Sequence, residues 1–324
     1  MGIIYCAGSI SGSGVTATIA GLKHQWEKAG KSVQLVKPFA VDPTSPDNGA
    51  TLFNNEVQQH QIYKSKNQIN TAKEQIIKLS RSADIILVEG LPVFESDEKL
   101  REVSRELAFE IGAKVMGVQH FSDTQPDQNF GDWRKIFGST LGGVVVNKMI
   151  PNRTLFKSDA LLKSAQESSV NLLAVIPEDR TLVSPTVMQI AEHVSAKWAS
   201  GIPMADSLVE NFLIGGLLME WGGNYFGRFP KQGVIVRGGR IDIQMSALNF
   251  PMSCMLLTAC SSPQQYVQQR AEAQGVPLMY VEESTMKVAE LLDSVSTRVN
   301  VHHPEKIARF SELLFETDDI DALI

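Results

Sequence analysis

Apolar residues in the first 180 positions gather into short, largely continuous runs within residues 3–7, 32–37, 84–89, 114–118, 142–147 and 171–176. Such runs, as opposed to alternating apolar and polar positions, predict strands of a sheet covered on both faces. Between them apolar positions recur at helical spacing, predicting helices over 16–28, 55–80, 98–111, 132–137 and 159–167. Strands alternating with helices imply a parallel sheet with crossover helices.

The pattern restarts in the second half. A helix is expected over 190–198, where Ile190, Ala191, Val194 and Trp198 share one stripe. The break Ser200-Gly201-Ile202-Pro203 then marks a domain boundary. Residues 208–218 are apolar, strands are expected at 233–237, Cys254–Thr258 and 277–281, and helices at 241–248, 262–274 and 285–295. The expected architecture is α/β: a domain at residues 1–200 on a parallel sheet flanked by helices, and a second, smaller α/β domain at 206–324.

Length agrees, since 324 residues exceed a typical single domain. A hydrophobic share of 43% with 20% charged residues is that of soluble globular protein. No apolar run approaches the roughly 18 residues of a membrane span. The first strand begins too early to leave room for a signal peptide. Cys6, Cys254 and Cys260 form no CxxC pair, which argues against a disulfide framework or zinc site and for buried small apolar residues in a reducing cytoplasm. The net charge of −6 arises from Asp206 onward, where 15 acidic residues oppose 9 basic ones. Neither half carries the basic patch that nucleic acid requires. The acidic end, with Glu316, Asp318, Asp319 and Asp321, reads as a solvated terminal segment.

The chemistry concentrates where the first strand meets the first helix. Gly8-Ser9-Ile10-Ser11-Gly12-Ser13-Gly14-Val15-Thr16 reads as a phosphate-binding loop. Its glycines let several N–H groups converge on one anion, the helix N-terminus adds partial positive charge, and Thr16 stands where a hydroxyl would hold Mg²⁺. Gly8, Ser11, Gly12, Ser13, Gly14 and Thr16 are the expected phosphate ligands. Val15, however, occupies the position of the lysine that reaches the β- and γ-phosphates, and valine cannot stabilise a transferred phosphoryl group.

Other candidates fall at strand C-termini, the edge where open α/β sheets bind ligands. Lys37 is the expected substitute cation, Glu89 with Thr16 and Asp47 the expected oxygen ligands of Mg²⁺. The Asn147 amide could read a purine edge or form a turn. In the second domain, Gly238, Gly239 and Arg240 form a glycine turn opening a helix, either an anion site or a tight turn with a surface Arg240–Asp242 pair. The histidines, His302 and His303 included, form no metal-site spacing.

The loop, together with Val36-Lys37-Pro38, Val88-Glu89-Gly90 and Val144-Val145-Val146-Asn147, resembles the dethiobiotin synthetase-type P-loop NTPase-like fold. That resemblance covers about residues 1–180. It implies that loop, lysine, glutamate and asparagine serve phosphates, carboxylated substrate, Mg²⁺ and adenine, with Val15 departing from the pattern. Residues from about 206 to 324 resemble the DRTGG domain, with Gly239 where that motif carries an aspartate. Pro177-Glu178-Asp179-Arg180 and Ser184-Pro185-Thr186 resemble the connecting segment of the tandem, which is similar to the N-terminal regulatory portion of long phosphate acetyltransferases, with no acetyltransferase domain. The expectation is a phosphate-ligand- or nucleotide-binding regulatory protein, with Mg²⁺ and ATP or another nucleotide as cofactors, little or no hydrolysis, and a homo-oligomer or protein partner. Two alternatives stay open: an ATP-dependent ligase or amidase-like enzyme using Lys37, and a scaffold with a vestigial loop acting through surfaces such as residues 208–225.

Overall fold

The computed structural model describes residues 2–39, 66–124, 128–150, 154–216, 225–295, 299, 301–316, 320 and 323. The chain divides into two compact units, Met1–Asp179 with Val301–Ile324, and Arg180–Asn300.

The first unit runs β1 (Gly2–Gly8), α1 (Val15–Lys28), β2 (Val33–Val36), α2 (Lys66–Ser80), β3 (Ile85–Glu89), α3 (Glu98–Glu110), β4 (Lys114–His120), α4 (Phe130–Phe137), β5 (Leu141–Met149), α5 (Thr154–Glu167) and β6 (Leu172–Pro177). The strands form one sheet in the order β2-β3-β1-β4-β5-β6, and every pairing is parallel. Burial on both faces explains the largely continuous apolar runs: all five residues of β3 are buried, as are Ile4, Tyr5, Cys6 and Ala7 of β1. Because the strands are parallel and in register, with Cys6 opposite Glu89, Gly8 opposite Val118 and His120 opposite Asn147, their C-termini share one edge.

The second unit runs α6 (Arg180–Val183), α7 (Val187–His193), β7 (Lys197–Ser200), β8 (Asn211–Gly215), β9 (Gln232–Arg237), α8 (Ile241–Ala247), β10 (Cys254–Thr258), α9 (Gln265–Ala273), β11 (Leu278–Tyr280) and α10 (Thr285–Asp293). Its sheet has the order β7-β11-β10-β9-β8, parallel except for β7, which lies antiparallel to β11.

Three features differ from the sequence expectation. Trp198 lies in β7 and not in a helix: α7 opens on a capping box of Thr186 and Gln189, and the chain turns through a left-handed Ser195 at φ 53. The division falls at residues 179 and 180, ahead of the expected break near 200–206, because α7 and β7 pack within the second unit. Finally, a helix absent from the sequence reading, α11 (Pro304–Leu314), belongs to the first unit. It opens on Pro304 with His303 Nδ1 accepting the Glu305 N–H at 3.2 Å. It lies on α1, where Phe310 approaches so closely that a Cβ at Gly21 would meet its ring at 3.0 Å. Trp26 and Phe315 meet edge to face at 6.3 Å. Beyond it Ile320 and Leu323 are buried, whereas Asp318, Asp319 and Asp321 lie outside the described residues. All three cysteines are buried and free, and burial pushes the Cys254 thiol up to about 12.

Candidate functional site

The loop after β1 is folded by its glycines. A Cβ on Gly8 would meet Ser13 Oγ at 2.7 Å, so only glycine lets the loop return over the strand end. Gly12 and Gly14 take φ of 75° and 99°, values that side chains with a Cβ resist. Gly14 caps α1 without a side-chain hydrogen bond, which leaves the helix's first N–H groups uncapped by any side chain. Ser13 is 1% exposed, and its Oγ has no hydrogen-bond partner. Uncapped amides, the helix dipole and a buried orphan hydroxyl together suit an anion.

On the β3 side, Lys37, Glu89 and Thr16 converge, as the strand-end pattern predicts. Glu89 Oε2 accepts the Thr16 hydroxyl at 3.0 Å, and Glu89 Oε1 lies 2.7 Å from Lys37 Nζ. Both charged side chains are largely buried, so their pairing is strengthened by low dielectric. Lys37 is thus paired with the carboxylate that also holds Thr16 at the end of the loop. Gly90 follows because the Tyr5 ring fills the space a Cβ would need. Tyr5 in turn bonds Ser104 Oγ at 2.9 Å, and burial pushes its hydroxyl pKa up to about 12. Thr16 Oγ1 and Glu89 Oε2 form an adjacent pair of hard oxygen donors, a fit for a Mg²⁺ that takes its remaining ligands from phosphate and water. Asp47 lies outside the described residues, and among those described no group of three or more His, Cys, Asp or Glu is placed to hold a metal.

On the β5 side the strand bulges. Its pairing with β6 passes from Val146 opposite Val175 to Met149 opposite Pro177, and Lys148 between them takes φ 62°. A left-handed lysine costs roughly 1 kcal/mol and concentrates at functional positions. The bulge aims two side chains at the loop. Asn147 Nδ2 donates to Ser13 O at 2.9 Å, its Oδ1 accepts the Lys148 N–H at 2.9 Å, and Lys148 Nζ donates to Gly12 O at 2.9 Å. Asn147 is only 4% exposed; its Nδ2 braces the loop while its Oδ1 is held by the β5 backbone, so both ends of the amide that a purine edge would take are engaged. Peptide planarity gives that brace a consequence: holding the Ser13 carbonyl toward Asn147 turns the Gly14 N–H to the opposite side. The remaining edge carries Glu95, whose Oε1 accepts the Ser11 N–H at 2.8 Å. A carboxylate thus holds an amide that a phosphate oxygen would use.

Sequence reasoning missed Lys148 and Glu95. Lys148 adjoins Asn147 in a strand-end run and could have been weighed with it, but the bulge that redirects it leaves no mark in the residue pattern. Glu95 lies six residues past Glu89, in a loop without periodicity.

The glycine turn of the second unit takes the surface-pair form. Arg240 Nε and Nη2 donate to Asp242 Oδ1 and Oδ2 at 3.0 and 2.8 Å. The Gly238 and Arg240 N–H groups go to the carbonyls of Thr258 and Arg237. With its fork engaged by Asp242 and those amides used by backbone, the turn has the second of the two forms that the sequence left open at Gly238, Gly239 and Arg240.

Comparison with known families adds one assignment. Residues 189–295 match the family model of the DRTGG domain. The DRTGG match covers most of the second unit, from within α7 to just past α10. Among curated proteins, the chain is similar to a phosphate acetyltransferase of Nitratidesulfovibrio vulgaris, 25% identical over 259 residues, covering 71% of this chain and 35% of that protein. The chain thus spans about a third of that relative's length. Among solved structures, one similar to this chain is the CBS and DRTGG regulatory region of Clostridium perfringens pyrophosphatase, complexed with the activator diadenosine tetraphosphate (11% identity, TM-score 0.32, 36% of this chain and 51% of that one). Others are the MinC:MinD cell division complex of Aquifex aeolicus (17%, TM-score 0.41, 56% and 84%) and FtsY of Thermotoga maritima (18%, TM-score 0.40, 55% and 62%). At these scores the likenesses say nothing of what this chain binds. Among the described residues no helix is long and apolar enough to cross a membrane.

Proposed function

We propose that this chain is a regulatory protein whose first unit binds a phosphate-bearing ligand, a nucleotide foremost, at residues 8–16, with little or no hydrolysis. The observation that carries the proposal is the loop itself: positive-φ glycines, an uncapped helix start and the buried, unpartnered Ser13 Oγ, combined with a valine at position 15. Binding needs the cradle, whereas turnover also needs charge stabilisation at the transferred phosphoryl group. Mg²⁺ would be held by Thr16 Oγ1 and Glu89 and would neutralise phosphate charge there.

The DRTGG domain would report occupancy, by movement or by oligomer and partner contacts. Support comes from the domain match and from similarity to part of a phosphate acetyltransferase.

The test is titration with ATP, with and without Mg²⁺, of the wild type and Glu89→Gln, followed by hydrogen exchange on the saturated protein. We expect binding that Mg²⁺ strengthens in the wild type only, ADP release near background, and altered exchange within Arg180–Asn300. Multiple turnover would argue for an enzyme, and Mg²⁺-enhanced binding that survives Glu89→Gln would remove the metal assignment.

A further inference from the structure

We infer that Lys148 supplies the loop's missing lysine: its ammonium, delivered from the β5 bulge, is the group that contacts the terminal phosphate of the ligand. The inference rests on the phosphate-binding reading above and names the residue that completes that site.

Five observations carry it. Position 15, where the loop's own lysine would stand, is valine. The Lys148 ammonium touches the loop, its Nζ lying 2.9 Å from Gly12 O. Lys37, the other strand-end lysine, has its Nζ on Glu89 at 2.7 Å. Lys148 adopts φ 62° within an irregular stretch of strand, the kind of local distortion that re-aims a side chain. The same loop holds the buried Ser13 Oγ, which lacks any hydrogen-bond partner and is a polar group that a phosphate oxygen would satisfy.

The chemistry follows from the ammonium. It carries three donors, of which the Gly12 carbonyl takes one, and its side chain is otherwise exposed. A phosphate arriving over the loop would draw the ammonium off a neutral carbonyl onto a charged oxygen, a stronger partner. Because the lysine comes from a neighbouring strand and not from the helix start, it can neutralise a bound terminal phosphate without lying along the line of phosphoryl transfer. Such a site recognises the phosphate end of its ligand. Nucleoside triphosphates and small inorganic or acyl phosphates share that chemistry, and the test separates them.

The experiment measures the affinity of wild type, Lys148→Met and Lys148→Arg for ATP, AMP and pyrophosphate, with circular dichroism and melting temperature checked for each variant. Reductive methylation and mass spectrometry of the wild type, free and ATP-saturated, give a second readout. We expect Lys148→Met to weaken ATP about 10–100-fold, the equivalent of one charge-assisted hydrogen bond. The loss for AMP should be smaller, and Lys148→Arg should stay within a few-fold of wild type. Methylation of Lys148 should be blocked by ATP while other exposed lysines react. A parallel loss on pyrophosphate would identify a site for any terminal phosphate; a loss confined to ATP would identify a nucleotide site. Equal ATP affinity in wild type and Lys148→Met, or full methylation of Lys148 in the complex, would overturn the inference while leaving the loop a phosphate site. Absence of any binding to wild type would overturn both.

Discussion

Charge at the loop is set by a few side chains, and each has an identifiable partner. Glu89 bridges the Thr16 hydroxyl and the Lys37 ammonium, and Lys148 holds Gly12 from the opposite strand. Glu95 holds the Ser11 N–H at 2.8 Å with an acceptor that carries the same sign as a phosphate. A phosphate bound as proposed would therefore compete with the Glu95 carboxylate for one amide and be repelled by it. Glu95→Gln keeps the side chain's length while removing its charge, so ATP should bind about 3–10-fold more tightly, measured by titration at low salt. Equal or weaker binding would mean that Glu95 orders the loop and does not compete. At this scale the sequence displayed Glu89, Lys37, Thr16 and Asn147, because strand ends and a glycine loop fix where such residues point. It hid Lys148 and Glu95, since a bulge and an aperiodic loop decide their direction.

Elements were legible in proportion to how completely they are buried. The six strands of the first sheet were visible because both faces are covered, making most strand residues apolar irrespective of direction. The four-residue edge strand β7 was read as helix, since Ile190, Ala191, Val194 and Trp198 happen to repeat at helical spacing across the turn at Ser195. Helix α11 escaped notice because its inner face is mixed: Lys306 and Ser311 are buried beside Phe310, Leu313 and Leu314.

Lys306 makes that helix sensitive to pH. Burial pushes its pKa down from 10.5 to about 8, so between those values the unfolded chain binds more protons than the folded one. The cost is full below about pH 8 and disappears as pH rises toward 10.5, so this group makes the fold more stable with rising pH across that window. Lys306→Met should stabilise the protein by roughly 1–3 kcal/mol at pH 7, and the gain should vanish by about pH 10.5 in denaturant titrations. A gain independent of pH would assign the effect to packing alone.

Across the whole molecule, two α/β units carry distinct apparatus. The first holds the proposed phosphate cradle at the shared C-terminal edge of its strands, and the DRTGG-matching second unit closes its own glycine turn with an Arg240–Asp242 pair. Two α/β domains were readable from the restart of the strand–helix pattern. The return of Val301–Ile324 to the first unit was not, because a contact between the chain's end and α1 has no local signature. The proposed division of labour, ligand held by the first unit and read out through the second, depends above all on the loop binding phosphate.

The most direct test is calorimetric titration of the wild type with ATP and Mg²⁺ beside Gly12→Asp, which places a carboxylate at a positive-φ glycine with open space around it. Saturable binding in the wild type that is lost in Gly12→Asp is the predicted result. No binding in the wild type, or equal binding in both proteins, would contradict it.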